Sequence, residues 1–256
     1  MARVIANRLW QHHFGRGLVA TPNDFGSTGQ RPTHPELLEW LARDLVHHGW
    51  KLKPLHKRIM TSETYMQRNR SADDPRMTSD PDNQLWWYRP PRRLEAEAVR
   101  DSLLAVSGMM DRTMYGPGTL DANMKRRSIY FFIKRSQLIS MMMLFDWPEH
   151  LVSIGQRQST TIAPQALALM NHPLSRSAAE SIANSVATPT DAKQLDSIFL
   201  RILSRKPTEL EREAALRFIA NAEPMRREQS SGSSEKMAIA DFCQILLCCN
   251  EFIYVD

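Results

Sequence analysis

The chain has 256 residues, 42% of them hydrophobic, with a mean hydropathy of −0.42, which suits one large domain or two small ones able to bury a core without staples. No window approaches the roughly twenty apolar residues of a transmembrane helix. The formal charge of +5 is mild and its Lys and Arg are spread along the chain, so it reads first as a solvated surface and second as ground for an anionic partner.

Ala2–Phe14 predicts a helix, with Val4, Ile5 and Leu9 on one face, Arg3, Asn7 and Arg8 on the other, and Gly15 and Gly17 ending it. Residues 15–34, with four glycines and two prolines, predict a loop of a length often tied to function. Pro35 suits a first helical position; Leu37, Leu38, Leu41 and Leu45 form a stripe and Gly49 stops it. Pro54–Met66 predicts a helix with Leu55, Ile59 and Met60 inward. Residues 69–83 predict a linker or surface loop. Leu94–Met110 predicts a helix with Leu94, Ala98, Leu103 and Val106 toward a core. Ser128–Ile133 is β-branched and aromatic and is the best strand candidate. As a strand it would set Ser128, Tyr130 and Phe132 on one face and Ile129, Phe131 and Ile133 on the other.

Leu138–Asp146 reads as helical or irregular, closed by Trp147-Pro148. Helices follow over Ala163–Met170, Leu174–Val186 and Ala192–Ser204. Thr208-Glu209-Leu210-Glu211 is a capping box opening a helix to about Asn221. Pro, Ser and Gly over 224–234 predict a flexible link, and Ser234–Asn250 the last helix, with Met237, Phe242, Ile245 and Leu246 inward. The expected fold class is mainly α: an irregular multi-helix domain with long loops and at most a small β element near 128–133. One domain over 1–256 is expected, with sub-regions 1–68, 84–187 and 192–256.

Cys243, Cys248 and Cys249 lie in one apolar segment and read as free thiols, with no CxxC, CxxCH or zinc-ligand spacing. No cofactor is therefore expected in this chain. The adjacent pairs His12-His13 and His47-His48 point about 100° apart on a helix and read as surface histidines. Two constellations remain. Arg127, Ser128 and Tyr130 could present a polar, aromatic surface to a sugar or base, or form a charge-guarded edge strand. Arg157, Ser159, Thr160, Thr161 and Gln165 precede a helix start, where free N–H groups and the positive dipole end could hold a carboxylate, sulfate or phosphate, or where the hydroxyls simply cap. No nucleophile elbow, phosphate loop, dinucleotide fingerprint or paired glycosidase carboxylates can be assigned.

The run Arg3–Val19 (RVIANRLWQHHFGRGLV), Thr21–Gly26 (TPNDFG), His34–Ala42 (HPELLEWLA) and Gly49–Lys53 (GWKLK) resembles the opening of the planctomycete-specific PSD family, domain of unknown function 1553. The resemblance continues in Ser62–Tyr65, Arg92–Glu97, Arg100-Asp101, Leu104–Gly108, Arg127–Tyr130, Phe145–Pro148, Ser159–Thr161, Pro164–Leu167 and Asn250–Tyr254. It implies a C-terminal domain of long, exported or envelope-associated proteins, often with an upstream cytochrome c-like module that would hold any haem. It also implies a domain whose leading part is missing here, and a link to complex-carbohydrate use. Cys248-Cys249 departs from the small polar residue the family often places there. The expected function is an accessory or binding module, with upstream domains of a longer polypeptide and a glycan or anionic ligand as partners. The alternative is a hydrolase or redox-associated enzyme domain using the 15–34 loop and the 157–165 segment. Nucleic acid ranks last.

Overall fold

The computed structural model describes residues 1–69, 74–148, 153–186, 192–229 and 234–255, without the side chains of 192 and 225–229. The 188–191 boundary expected from the sequence, and part of the 224–234 link, lie outside them. The chain divides into two compact units. Among the described residues the fold is mainly α, with thirteen helices and one two-stranded sheet. No helix of the described residues is long and apolar enough to cross a membrane.

Unit 1 covers Met1–Arg92 with Ser153–Gln156. It contains α1 (Ala2–Phe14), α2 (Pro35–His47), α3 (Leu52–Met60), α4 (Glu63–Met66) and α5 (Arg76–Ser79). The helix expected over Pro54–Met66 is broken at Thr61-Ser62, because the Ser62 hydroxyl accepts from Tyr65 N–H and starts a new turn. Met60 is consequently 48% exposed rather than inward. Leu9, Trp10 and Phe14 pack against Leu38, Leu41, Leu45, Leu55 and Ile59. Gly15 ends α1 in the left-handed conformation, φ 85°, where a Cβ would be strained.

Asn7 sits in the core, fully buried, and not on the polar face expected of it. Its amide donates to Val19 O at 3.0 Å and accepts from Val19 N–H at 2.8 Å, so it satisfies a buried backbone segment as a neighbouring strand would. A Cβ on Gly17 would lie 2.6 Å from that amide, which is why the loop carries glycine there. The rest of the 15–34 loop is tied by Asp24, which accepts from Gly26 N–H and the Thr28 hydroxyl, and by Thr21, which donates to Asp24 O.

Unit 2 covers Arg93–Val152 and Arg157–Val255. Its helices are α6 (Ala96–Ser107), α7 (Ser140–Leu144), α8 (Ala163–Asn171), α9 (Pro173–Ser185), α10 (Ala192–Leu203), α11 (Glu209–Gln229), α12 (Ser234–Leu247) and α13 (Asn250–Ile253). The sheet pairs β1 (Arg92–Arg93) with β2 (Tyr254–Val255). α12 packs on α9 and α11, and α6 on α9. The buried stripe of α6 is Ala96, Val99, Leu103 and Leu104, with Ala98 only half-buried. Val99, Leu103 and Leu104 each contribute on the order of 1.5–3 kcal/mol by this burial. Thr208 and Glu211 form the expected capping box, with Glu211 N–H to the Thr208 hydroxyl at 3.3 Å and Thr208 N–H to Glu211 Oε2 at 2.8 Å.

Three local expectations change. Ser128–Tyr130 is a 3-10 turn, not a strand; among the described residues β pairing nearby is limited to the isolated bridges Asp111↔Arg126, Thr119↔Phe131 and Lys134↔Gln137. The alternating faces are therefore lost: Ser128 and Phe131 are buried while Ile129, Phe132 and Ile133 are exposed. α11 runs on through Pro224 to Gln229, since Met225–Gln229 is a run of good helix formers and one lost backbone bond does not end it. Ile245 is 46% exposed, on the outer face of α12.

Asn7→Ala is expected to destabilise unit 1 by about 2–3 kcal/mol, because two buried backbone groups of Val19 lose their partner. Urea denaturation followed by fluorescence checks this; a loss under about 0.5 kcal/mol would show that water replaces the amide.

Candidate functional site

The polar face of α6 organises both constellations that the sequence singled out. Glu97 and Asp101 stand one turn apart on it, and each holds a guanidinium. Arg157 reaches Glu97 at 2.7 Å and Glu95 at 3.1 Å. Arg127 lies 3.7 Å from Asp101. The Trp147 indole N–H donates to the other oxygen of Glu97 at 3.0 Å. Burial acts to raise the Glu97 pKa, but the Arg157 bond and charge and the Trp147 bond outweigh it and hold the carboxyl below its ordinary value.

A second carboxylate, Asp146, sits beyond the end of α7. Trp147 N–H bonds Met142 O and Asp146 N–H bonds Met143 O, the doubled closure that demands a left-handed residue between them. Asp146 fills that position with φ 61°, a conformation Asp tolerates better than most side chains. Its carboxylate is thereby aimed at Thr160, accepting from the backbone N–H and the hydroxyl at 2.8 Å each. Arg93, 3% exposed at its side chain, pairs with Asp146 and also donates to the Thr160 carbonyl. Burial acts to raise the Asp146 pKa; the Thr160 and Arg93 contacts overcome it and lower the value.

The remaining expected residues fall around these two centres. The Thr161 hydroxyl meets the Tyr254 hydroxyl at 3.1 Å. Gln165 is 4% exposed and donates to Leu144 O at 2.9 Å. Ile162, with no side-chain cap, occupies the cap position of α8. The hydroxyls of Thr160 and Thr161 thus serve other partners, and Ser159 is exposed. Tyr130 is half-buried, with the Arg126 guanidinium 3.6 Å over its ring and its hydroxyl accepting from Tyr115 N–H at 2.7 Å. Ser128 is buried: its N–H and hydroxyl both donate to Asp101 at 2.7 Å, and its oxygen accepts from the buried Arg100 at 3.2 Å. Arg93, Glu95, Glu97, Arg100, Asp101 and Asp146 were not assigned to a site from the sequence, although the first five lie in the runs Arg92–Glu97 and Arg100-Asp101, and Asp146 in Phe145–Pro148, that carry the family resemblance.

In unit 1, His13 is not a surface histidine. Its Nε2 lies 2.8 Å from Nδ1 of His56, because α1 packs on α3, and the shared proton requires one ring to be a neutral acceptor. Burial, then the charges of His56, Arg92, Arg89 and His12, lower its pKa to about 4. Among the described residues no group of three His, Cys, Asp or Glu is placed to hold a metal ion.

Asp146→Asn is expected to cost unit 2 about 3 kcal/mol, since it keeps the left-handed tolerance but leaves Arg93 buried without its counter-charge. The depressed Asp146 pKa gives stability that is full above the unfolded value and is lost as pH falls through the lower folded one, so the Asn variant should converge with the parent in strong acid. Urea denaturation across pH checks both, and a constant difference at all pH values would count against the ion pair. For His13 the window is different. The unfolded imidazole binds its proton near 6.5 and the folded one near 4, so unit 1 loses stability as pH falls between them. His13→Gln should flatten that part of the pH–stability profile, measured as the difference from the parent.

The sequence profile of the PSD1 family, described as a protein of unknown function (DUF1553), matches residues 1–219. No curated protein and no solved structure matches the chain. With the profile covering most of its length, the chain belongs to the PSD1 family, DUF1553.

Proposed function

We propose that the chain is a non-catalytic binding module of a larger exported multidomain protein, with a glycan or other anionic molecule as its ligand. The observation that carries this reading is the state of Glu97 and Asp146. A general acid or base works best with a pKa near the operating pH. Both carboxyls are pushed the other way, by Arg157 and Trp147 on Glu97 and by Thr160 and Arg93 on Asp146. Those contacts suit a rigid scaffold that stays charged and fixed, and they disfavour the hydrolase alternative. In this reading the chain carries no cofactor of its own, and any haem belongs to an upstream domain.

The test pairs an array of neutral and acidic glycans with turnover assays on aryl glycosides and esters. Saturable binding to at least one glycan class without turnover is expected. Turnover that Glu97→Gln or Asp146→Asn abolishes, with the fold intact, would overturn the reading.

A further inference from the structure

Unit 1 holds a cleft of about 630 Å³ lined by Met60, Tyr65, Met66, Gln67, Arg68, Asn69 and Arg89. Its ionisable lining is two guanidiniums and a phenol, with no carboxylate among the described residues. Arg89 stacks 4.1 Å over the Tyr65 ring and donates to the Tyr65 hydroxyl at 3.3 Å. Its Nε is buried and has no hydrogen-bond partner, and no described carboxylate lies within ion-pairing distance of it. By contrast, Arg93 pairs with Asp146 and Arg157 with Glu97. An uncompensated guanidinium with an unmet N–H is costly and is satisfied by a planar or tetrahedral oxyanion.

A second observation points the same way. The His13 and Tyr65 rings meet edge-to-face with their centroids 5.6 Å apart. The charged and titratable groups that act on it are His56, Arg92, Arg89 and His12, all basic. Arg89 and Arg92 among them are permanently charged, and with Arg68 in the lining they favour an anion.

We propose that this cleft is an oxyanion-binding site, in which Arg89 and Arg68 take a sulfate, phosphate or carboxylate group and the Tyr65 hydroxyl adds a hydrogen bond. Met60 and Met66 form an apolar wall, and the volume exceeds that of a bare ion, so the group is carried on an organic body such as a sugar ring. This assignment rests on the binding-module reading above and gives it a location and a ligand chemistry.

The test is isothermal titration of the full chain with three probes: inorganic sulfate, a sulfated oligosaccharide and a neutral oligosaccharide of the same backbone. Arg68→Ala and Arg89→Lys are the variants. Arg68 is exposed and Arg89→Lys keeps the charge, so thermal unfolding should match the parent. The sulfated oligosaccharide should bind more tightly than sulfate, and each variant should weaken it about tenfold or more. Equal affinity of sulfate and the sulfated oligosaccharide, both lost in the variants, keeps the oxyanion site and removes the sugar contribution. Sulfated-oligosaccharide binding unchanged in both variants overturns the cleft but leaves the binding module standing, as does binding of the neutral oligosaccharide alone. Absence of binding to all three probes overturns the site.

Discussion

Helix α6 imposes the constraint to which the rest of unit 2 answers. One face, Ala96, Val99, Leu103 and Leu104, is buried against α9 and its neighbours. The other carries Glu97 and Asp101, and buried Arg100 lies between the two faces. A helix with carboxylates beside its own core cannot bury that side until cations and donors arrive from elsewhere. They come from distant sequence: Arg157 and Trp147 for Glu97, and Ser128 and Arg127 for Asp101; Arg100 in turn donates to the carbonyls of Met124 and Arg126. Met124, Arg126, Arg127 and Ser128 of one irregular segment, with Trp147 and Arg157, thus serve α6.

This explains what the sequence could and could not disclose. Helices α1, α2 and α8 to α12 were legible because period, prolines, glycines and the Thr208–Glu211 box are local signals. The 3-10 turn at Ser128–Tyr130 was not, because β propensity argued for a strand while Asp101 and Arg100, on another element, pin Ser128 inward. Asn7 was misplaced for the same reason: amphipathic patterning assigns a polar residue outward, and its buried partner, Val19, is reached only through the turn of the 15–34 loop. The candidate site was half legible. Arg127, Tyr130, Arg157, Thr160, Thr161 and Gln165 do occupy the polar neighbourhoods of unit 2, but periodicity reports a helix's own faces and not which carboxylate sixty residues away will claim an arginine.

The part-buried arginines differ in how their charge is balanced. In unit 2, Arg93, Arg157 and Arg176 each face a carboxylate, while Arg126 and Arg201 are held by carbonyl and hydroxyl oxygens. In unit 1 Arg89 faces no described carboxylate, and the neighbouring His13 is kept neutral among cations. The unmet Nε donor of Arg89 is what gives the functional reading its location.

The most direct measurement is the pH titration of the Glu97 and Asp146 carboxyl carbons by NMR, assigned with the Gln and Asn variants. The account predicts that both titrate below the ordinary carboxylate range of about 4. A midpoint near neutrality for either would make it a poised acid or base and contradict the claim that these charges serve the fold.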